Sequence, residues 1–203
     1  MIAVLTADII DSAQKPAADW LGPLREFLAG QGRHPADWDI YRGDELQLRT
    51  SPENALRAAV GLKALMRSVG GLDIRIAIGL GEESFRAARV GESNGTAYQR
   101  SGRAFGQLRE EKNRLMVSSG CEVPDRTMNL LLRMALQFMD QWSQVSAESV
   151  VLALSEPEAS QQQLAARLGI RQSAVSQRQA RARLDLVGEL FAYYRDVYLK
   201  QIG

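Results

Sequence analysis

Two short stretches bring acidic side chains to positions where they could do chemistry. "AVLTADIID" (residues 3–11) ends an apolar run on Asp8 and Asp11, and "YRGDELQL" (residues 41–48) sets Asp44 and Glu45 directly after a glycine. If the first run is a strand lying beside a hairpin formed by the second, Asp8 and Asp44 approach each other, and a pair of carboxylates is the oxygen donor set Mg²⁺ prefers. The chemistry to expect of such a pair is metal-assisted handling of phosphates. The alternative is that these carboxylates cap turns and pair with a cation, since a buried carboxylate without a partner is costly.

A second set of candidates lies near the C-terminus. In "SQQQLAARLGIRQSAVSQRQARARL", Ser160 and Gln163 have capping-box spacing, Leu164 and Leu168 are apolar, Gly169 marks a turn and Val175 sits in a following helical pattern. That is the pattern of a helix-turn-helix. Its second helix carries Gln172, Ser173, Ser176 and Gln177, polar groups suited to base edges, with Arg171, Arg178 and Arg181 placed for phosphates. A helical bundle with a solvated polar face is the competing explanation. Local charge favours DNA: residues 160–203 hold 7 basic and 3 acidic side chains, although the whole chain is only +1.

The elements that must position these groups follow from periodicity. "IAVLTADI" reads as a buried strand, "ADWLGPLREFLAG" as a helix, and "WDIYRGDELQLRT" as two strands around a hairpin with Asp44 at its tip. "SPENALRAAVGLKALMRSVGG" reads as a helix capped by Ser51, with Pro52 at its first position and Gly70-Gly71 stopping it. "LDIRIAIGLGE" is a strand, "GTAYQRSGRAFGQLREEKN" a helix and "RLMVSS" a last strand. The order βαββαβαβ predicts an α+β domain over 1–120, an antiparallel sheet with helices on one face, related to the ferredoxin-like arrangement. A linker is expected at Glu122–Arg126, then an all-α domain over 125–203, with Met128, Leu131, Leu132, Ala135, Met139 and Trp142 on one stripe. In "LDLVGELFAYYRDVYLK", Leu184, Val187, Phe191, Tyr194 and Tyr198 form a narrow apolar seam that packs either on the chain's own helices or on a second copy in a homodimer.

Composition removes several function classes. One cysteine, Cys121, allows no internal disulfide and no multi-thiolate zinc site. One histidine, His34 in a polar loop, argues against triad chemistry and histidine-rich metal sites. No window nears the roughly 18 apolar residues of a membrane span, and no basic-then-apolar leader opens the chain, so a cytoplasmic protein without membrane partners is expected.

Together "TADIIDS", "GDELQL", "IRIAIGLGE", "GTAYQRSGRAFGQL" and "QLAARLGIRQSAVSQR" resemble the SatD family of bacterial proteins across nearly the whole chain. The resemblance implies a cytoplasmic, regulatory protein with an N-terminal α+β domain and a C-terminal helix-turn-helix; it implies no particular activity. More distantly, the N-terminal blocks are similar to the palm-type core of class III nucleotidyl cyclases and diguanylate cyclases. That similarity implies metal ligation by Asp8, Asp44 and Glu45, and nucleotide contacts from Gly43, Gln99 and Arg103, with Arg103 at the position of a transition-state arginine. It also shows departures: Ile40 replaces a base-selecting lysine, Gln99 replaces an asparagine for the ribose, and Arg42 interrupts the double glycine of the diguanylate-type hairpin. A DNA-binding regulator whose cyclase-like domain binds a nucleotide or Mg²⁺ as a sensor is therefore the leading expectation, and a metal-dependent nucleotidyl-transfer enzyme the alternative.

Overall fold

The computed structural model describes residues 1–41 and 43–203; Arg42, with its expected break in the hairpin glycines, lies outside the described residues. The first part runs β1 (Ile2–Ile10), α1 (Ala17–Ala29), β2 (Trp38–Tyr41), β3 (Glu45–Thr50), α2 (Pro52–Val69), β4 (Asp73–Gly81), α3 (Thr96–Glu111) and β5 (Leu115–Ser118). Helices follow: α4 (Glu122–Met139), α5 (Gln144–Ser155), α6 (Gln161–Leu168), α7 (Gln172–Arg181) and α8 (Leu184–Tyr193), continued by a π-helical turn at Tyr194–Tyr198 and α9 (Leu199–Ile202). The protein is thus α+β, with one five-stranded sheet and several helices. None of the described helices is long and apolar enough to cross a membrane.

Local signals act where their physics says they should. Gly43, at φ +88°, supplies the turn between β2 and β3 that a side chain would strain. The Ser51 side chain accepts from the Asn54 amide, Pro52 occupies the first turn of α2, and Gly70 ends that helix at φ +80°.

The sheet order is β2-β3-β1-β4-β5. β1 runs antiparallel to both β3 and β4, but β5 runs parallel to β4, with Ile76 opposite Leu115, so the sheet is mixed rather than wholly antiparallel. The cause is α3: a strand reached through a helical crossover, unlike one reached through a hairpin, can return in its partner's direction.

Period-two alternation assigns the two faces. Ala3, Leu5, Ala7 and Ile9 of β1 and Ile74, Ile76, Ile78 and Leu80 of β4 enter the main core with α1 and α2. On the other face Val4 packs with Ala97 and Tyr98, and Ala77 with Ala104, Phe105 and Leu108 of α3. Helices therefore cover both faces, contrary to the one-faced expectation. Gly79 permits this second layer: a Cβ there would lie 2.2 Å from the Ala97 carbonyl oxygen and 2.3 Å from the Ser101 nitrogen. Thr6 reinforces the contact by donating to Ser101 Oγ at 3.0 Å.

The main core continues into the C-terminal helices. Met128, Leu132, Ala135 and Met139 of the expected α4 stripe are buried, as is Trp142 just beyond it, while Leu131 is half-buried. Trp142 Nε1 donates to the Ala182 carbonyl at 2.9 Å. No linker separates 120 from 126, because Glu122–Arg126 is the opening turn of α4. There Asp125 accepts from the Ser119 and Gly120 amides at 2.8 and 3.1 Å, and Pro124 sits where a helix tolerates a missing N–H. The C-terminal seam also turns inward: Val187, Tyr194 and Tyr198 are buried in the chain's own core, and the Tyr194 phenol donates to the Pro52 carbonyl at 2.9 Å.

One ion cluster ties the two parts together. Lys63 of α2, almost without exposure, has its Nζ 2.8 Å from Asp73 of β4 and 2.6 Å from Asp140 after α4. Arg114 reaches the same two carboxylates at 3.5 and 2.5 Å.

Candidate functional site

Alternation along β1 puts Asp8 on the α3 face of the sheet. In register, Glu45 of β3 stands opposite it on one side and Arg75 of β4 on the other. Arg75 Nη1 donates to Asp8 Oδ2 at 2.9 Å and Oδ1 at 3.3 Å. Arg109 descends from α3, its Nη2 lying 3.3 Å from Asp8 Oδ2 and 3.5 Å from Glu45 Oε1, and its guanidinium rests over the Phe105 ring at 5.2 Å. Asp44 sits beside them at the hairpin tip, where its carboxylate accepts from Ser12 Oγ at 2.7 Å and its carbonyl accepts from the Ile9 amide at 3.1 Å.

Two of the three expected metal ligands, Asp8 and Glu45, are thus brought together, with Asp44 engaged separately by Ser12. The residues composition did not single out, Arg75 and Arg109, are the ones that face them. Two carboxylates and two guanidinium groups compensate each other's charge, and a divalent cation would meet those guanidinium groups before the oxygens. Among the described residues no three His, Cys, Asp or Glu side chains gather as a metal cage. The alternation in "DIRIAIGLG" already put Arg75 on the polar face; only strand register shows what it meets.

Arg103 and Gln99 lie elsewhere. Arg103 Nε donates to the Gln99 carbonyl one turn earlier, at 3.3 Å, and Gln99 is exposed. The Arg103 side chain lines a cleft of about 590 Å³ between α3, β5 and α4 together with Arg100, Arg126 and Arg133. Gly43 is exposed at the hairpin turn, with nothing within 4 Å of where its Cβ would be.

On the β2–β3 side, the loop after β4 is fastened by charge. Arg49 holds Glu83 through two hydrogen bonds, Nε to Oε1 at 2.8 Å and Nη2 to Oε2 at 3.0 Å, and the Tyr98 phenol donates to Oε1 at 2.7 Å. Burial opposes ionisation of Glu83, but the bonds from Arg49 and Tyr98 and the charges of Arg49 and Arg86 outweigh it and hold the carboxyl below its ordinary range. Tyr98 is pushed up to about 12, first by burial and then by its bond to Glu83. His34 is half-exposed, with Nε2 3.1 Å from Asp39 Oδ1 and its ring against Trp38.

In the C-terminal helices, Ser160 Oγ accepts from the Gln163 amide at 3.3 Å while Gln163 Oε1 accepts from the Ser160 amide at 2.8 Å, completing the capping box. Gly169 takes the left-handed conformation at φ +63° and ends α6. Leu164, Ala165 and Val175 form a small core between α6 and α7. Arg171, Gln172, Ser173, Ser176, Gln177 and Arg181 are exposed. Gln172 and a further amide of α7, Gln179, also engage α6: Gln161 accepts from Gln172 Nε2 and donates to Gln179 Oε1. Arg178 is half-buried, its Nη1 3.3 Å from Glu148 of α5.

Comparison with protein-family models, with curated proteins and with solved structures finds no match for this chain.

Proposed function

We propose that the protein is a DNA-binding regulator in which α6 and α7 act as a helix-turn-helix and the α+β part, residues 1–120, serves as a sensor. The observation that carries this reading is the division of α7: Val175 is buried, while Gln172, Ser173, Ser176 and Gln177 are exposed between exposed Arg171 and Arg181. Amide and hydroxyl groups flanked by arginines suit base edges flanked by phosphates. The resemblance to the SatD family supports the same reading. The antiparallel order β2-β3-β1-β4, with β5 added at one edge, supports reading the sheet as ferredoxin-like or palm-type and the domain as a cyclase-like sensor.

Within this proposal a nucleotide or Mg²⁺ is the sensed ligand. Mg²⁺ binding at Asp8, Asp44 and Glu45 requires Arg75 and Arg109 to move aside, which favours a regulatory over a catalytic use of these residues. A homodimer would suit two half-sites; with the seam residues Val187, Tyr194 and Tyr198 buried, Leu186 and Val197 are the exposed large apolar residues of the C-terminal helix available to it.

Selection of bound sequences from a random duplex library tests the reading. Enrichment of one motif by the full chain, abolished by Gln172→Ala with Gln177→Ala, supports it. Salt-sensitive binding with no sequence preference, or enrichment unchanged in the double variant, rules out α7 as a reading helix.

A further inference from the structure

We propose that the cleft between α3, β5 and α4 is a binding site for a small phosphorylated anion. Arg100 and Arg103 on α3, and Arg126 and Arg133 on α4, line opposite walls of one concavity, above a floor from Met116 to Ser118. A spacing of three residues on α3 and of seven on α4 keeps each pair on one helix face, and the two faces border the cleft.

Among the described residues none of the four arginines has a carboxylate within ion-pair distance, whereas Arg49, Arg75, Arg109 and Arg114 all do. This is so although Glu111, Glu122 and Asp125 also border the cleft. Asp125 is committed to Ser119, Gly120 and Tyr198, and Glu111 accepts from Gln107 at 2.8 Å. With four arginines against three carboxylates the lining keeps a net charge of +1, and since none of the four guanidinium groups is spent on a carboxylate, an anion seated among them is attracted to it.

Arg100 is already positioned for the task. Its Nη1 donates to the Leu80 carbonyl at 2.6 Å, and the backbone at Gly120 packs so close that a Cβ there would lie 2.5 Å from Nη2. A guanidinium held in place loses little freedom on binding, and its planar fork matches the oxygens of a phosphoryl group. A volume of about 590 Å³ falls in the range of small-molecule sites. The concave shape between two helices favours a small ligand over a duplex backbone, which needs a surface that can enter or straddle a groove. The site is on the β5 side of α3, whereas Asp8 and Glu45 are met by Arg109.

The inference deepens the sensor half of the proposed function and rests on it. Calorimetric titration of the full chain with pyrophosphate and with ATP, both in excess EDTA, tests it without DNA. Saturable one-to-one binding that weakens with added salt is expected, reduced at least about tenfold in Arg103→Gln/Arg133→Gln. Arg171→Gln/Arg181→Gln on α7 should bind as the wild type does. Tighter binding of ATP means that the nucleoside is also held; equal affinity means that the phosphates alone are recognised. Arg126→Gln provides a third exposed position if circular dichroism shows the double variant unfolded. No saturable binding of either probe, equal affinity in the folded arginine variants, or displacement by duplex DNA at equal phosphate concentration overturns the proposal. Such a result leaves motif selection by α7 intact, whereas loss of motif selection alone leaves the anion site intact.

Discussion

The Tyr198 phenol donates a 2.6 Å hydrogen bond to Asp125 Oδ1, joining the π-helical turn near the C-terminus to the opening turn of α4, 73 positions away. Burial, and then this bond to a carboxylate, raise the pKa of the phenol well above its ordinary range. Because the acceptor is charged, Tyr198→Phe is expected to destabilise the fold by about 1.5–3 kcal/mol, read from the midpoint and slope of urea unfolding. An unchanged midpoint would show that Ser119 and Gly120 satisfy Asp125 without help.

Lys63 carries a larger structural demand. It faces Asp73 and Asp140 with almost no solvent contact, so removing its charge leaves both carboxylates to Arg114 alone. Lys63→Met should cost about 3–5 kcal/mol, and Asp73→Asn in the same background should recover part of that loss. Denaturant unfolding of the three proteins measures both.

The Arg49–Glu83–Tyr98 group sets a pH signature at both ends of the range. Glu83 has its folded pKa depressed, so the stability it contributes is present above its ordinary value of 4.5 and is lost as pH falls through the lower folded value. Tyr98 has its folded pKa raised, so its contribution is complete below 10 and is lost as pH rises from 10 through about 12. Thermal melts across pH should show a shallower acid limb for Glu83→Gln and a shallower alkaline limb for Tyr98→Phe. Parallel limbs in wild type and variants would remove this group as their source.

Arg75 and Arg109 hold the carboxylates that the sequence offers to a cation. Mn²⁺ followed by water-proton relaxation should bind the wild type weakly, and Arg75→Met/Arg109→Met more tightly, because the double variant leaves Asp8 and Glu45 uncompensated. Tight binding to the wild type that Asp8→Asn abolishes would instead place a cation at Asp8 with the arginines displaced.

The helix α7 discriminates among its own arginines. Arg171 and Arg181 are exposed, whereas Arg178 is half-buried beside Glu148. Arg171→Ala and Arg181→Ala are each expected to lower the slope of log affinity against log salt by about one, and Arg178→Ala by less. Fluorescence anisotropy on one duplex at several salt concentrations gives the three slopes. Equal slopes for all three would mean that Arg178 leaves Glu148 on binding.

Features whose physics is local were legible in the amino-acid order. A proline at the start of α2, a serine before it and a glycine after it act within one helical turn, as do the Ser160–Gln163 box and Gly169 between α6 and α7. The apolar run "IAVLTADI" and the alternation in "LDIRIAIGLG" marked strands, and with the helical spacings between them the order of strands and helices through β5 was legible. That the first strand lies beside the hairpin was legible, but the expected pair was Asp8 with Asp44, whereas register sets Glu45 opposite Asp8 and Ser12 engages Asp44.

The remaining features depend on partners far apart in the chain. Register set Arg75 against Asp8, and the landing of α3 on Gly79 brought Arg109 to the same carboxylates while turning Arg103 toward β5 and α4. The crossover through α3 made β5 parallel, and capping by Asp125 turned the expected linker into helix. The apolar seam of Leu184, Val187, Phe191, Tyr194 and Tyr198 could not name its own partner, because periodicity specifies which face is buried but not what buries it. Packing against α2 and α4 buries Val187, Tyr194 and Tyr198 in the chain's own core, which offers them an apolar surface, the Pro52 carbonyl for Tyr194 and the Asp125 carboxylate for Tyr198.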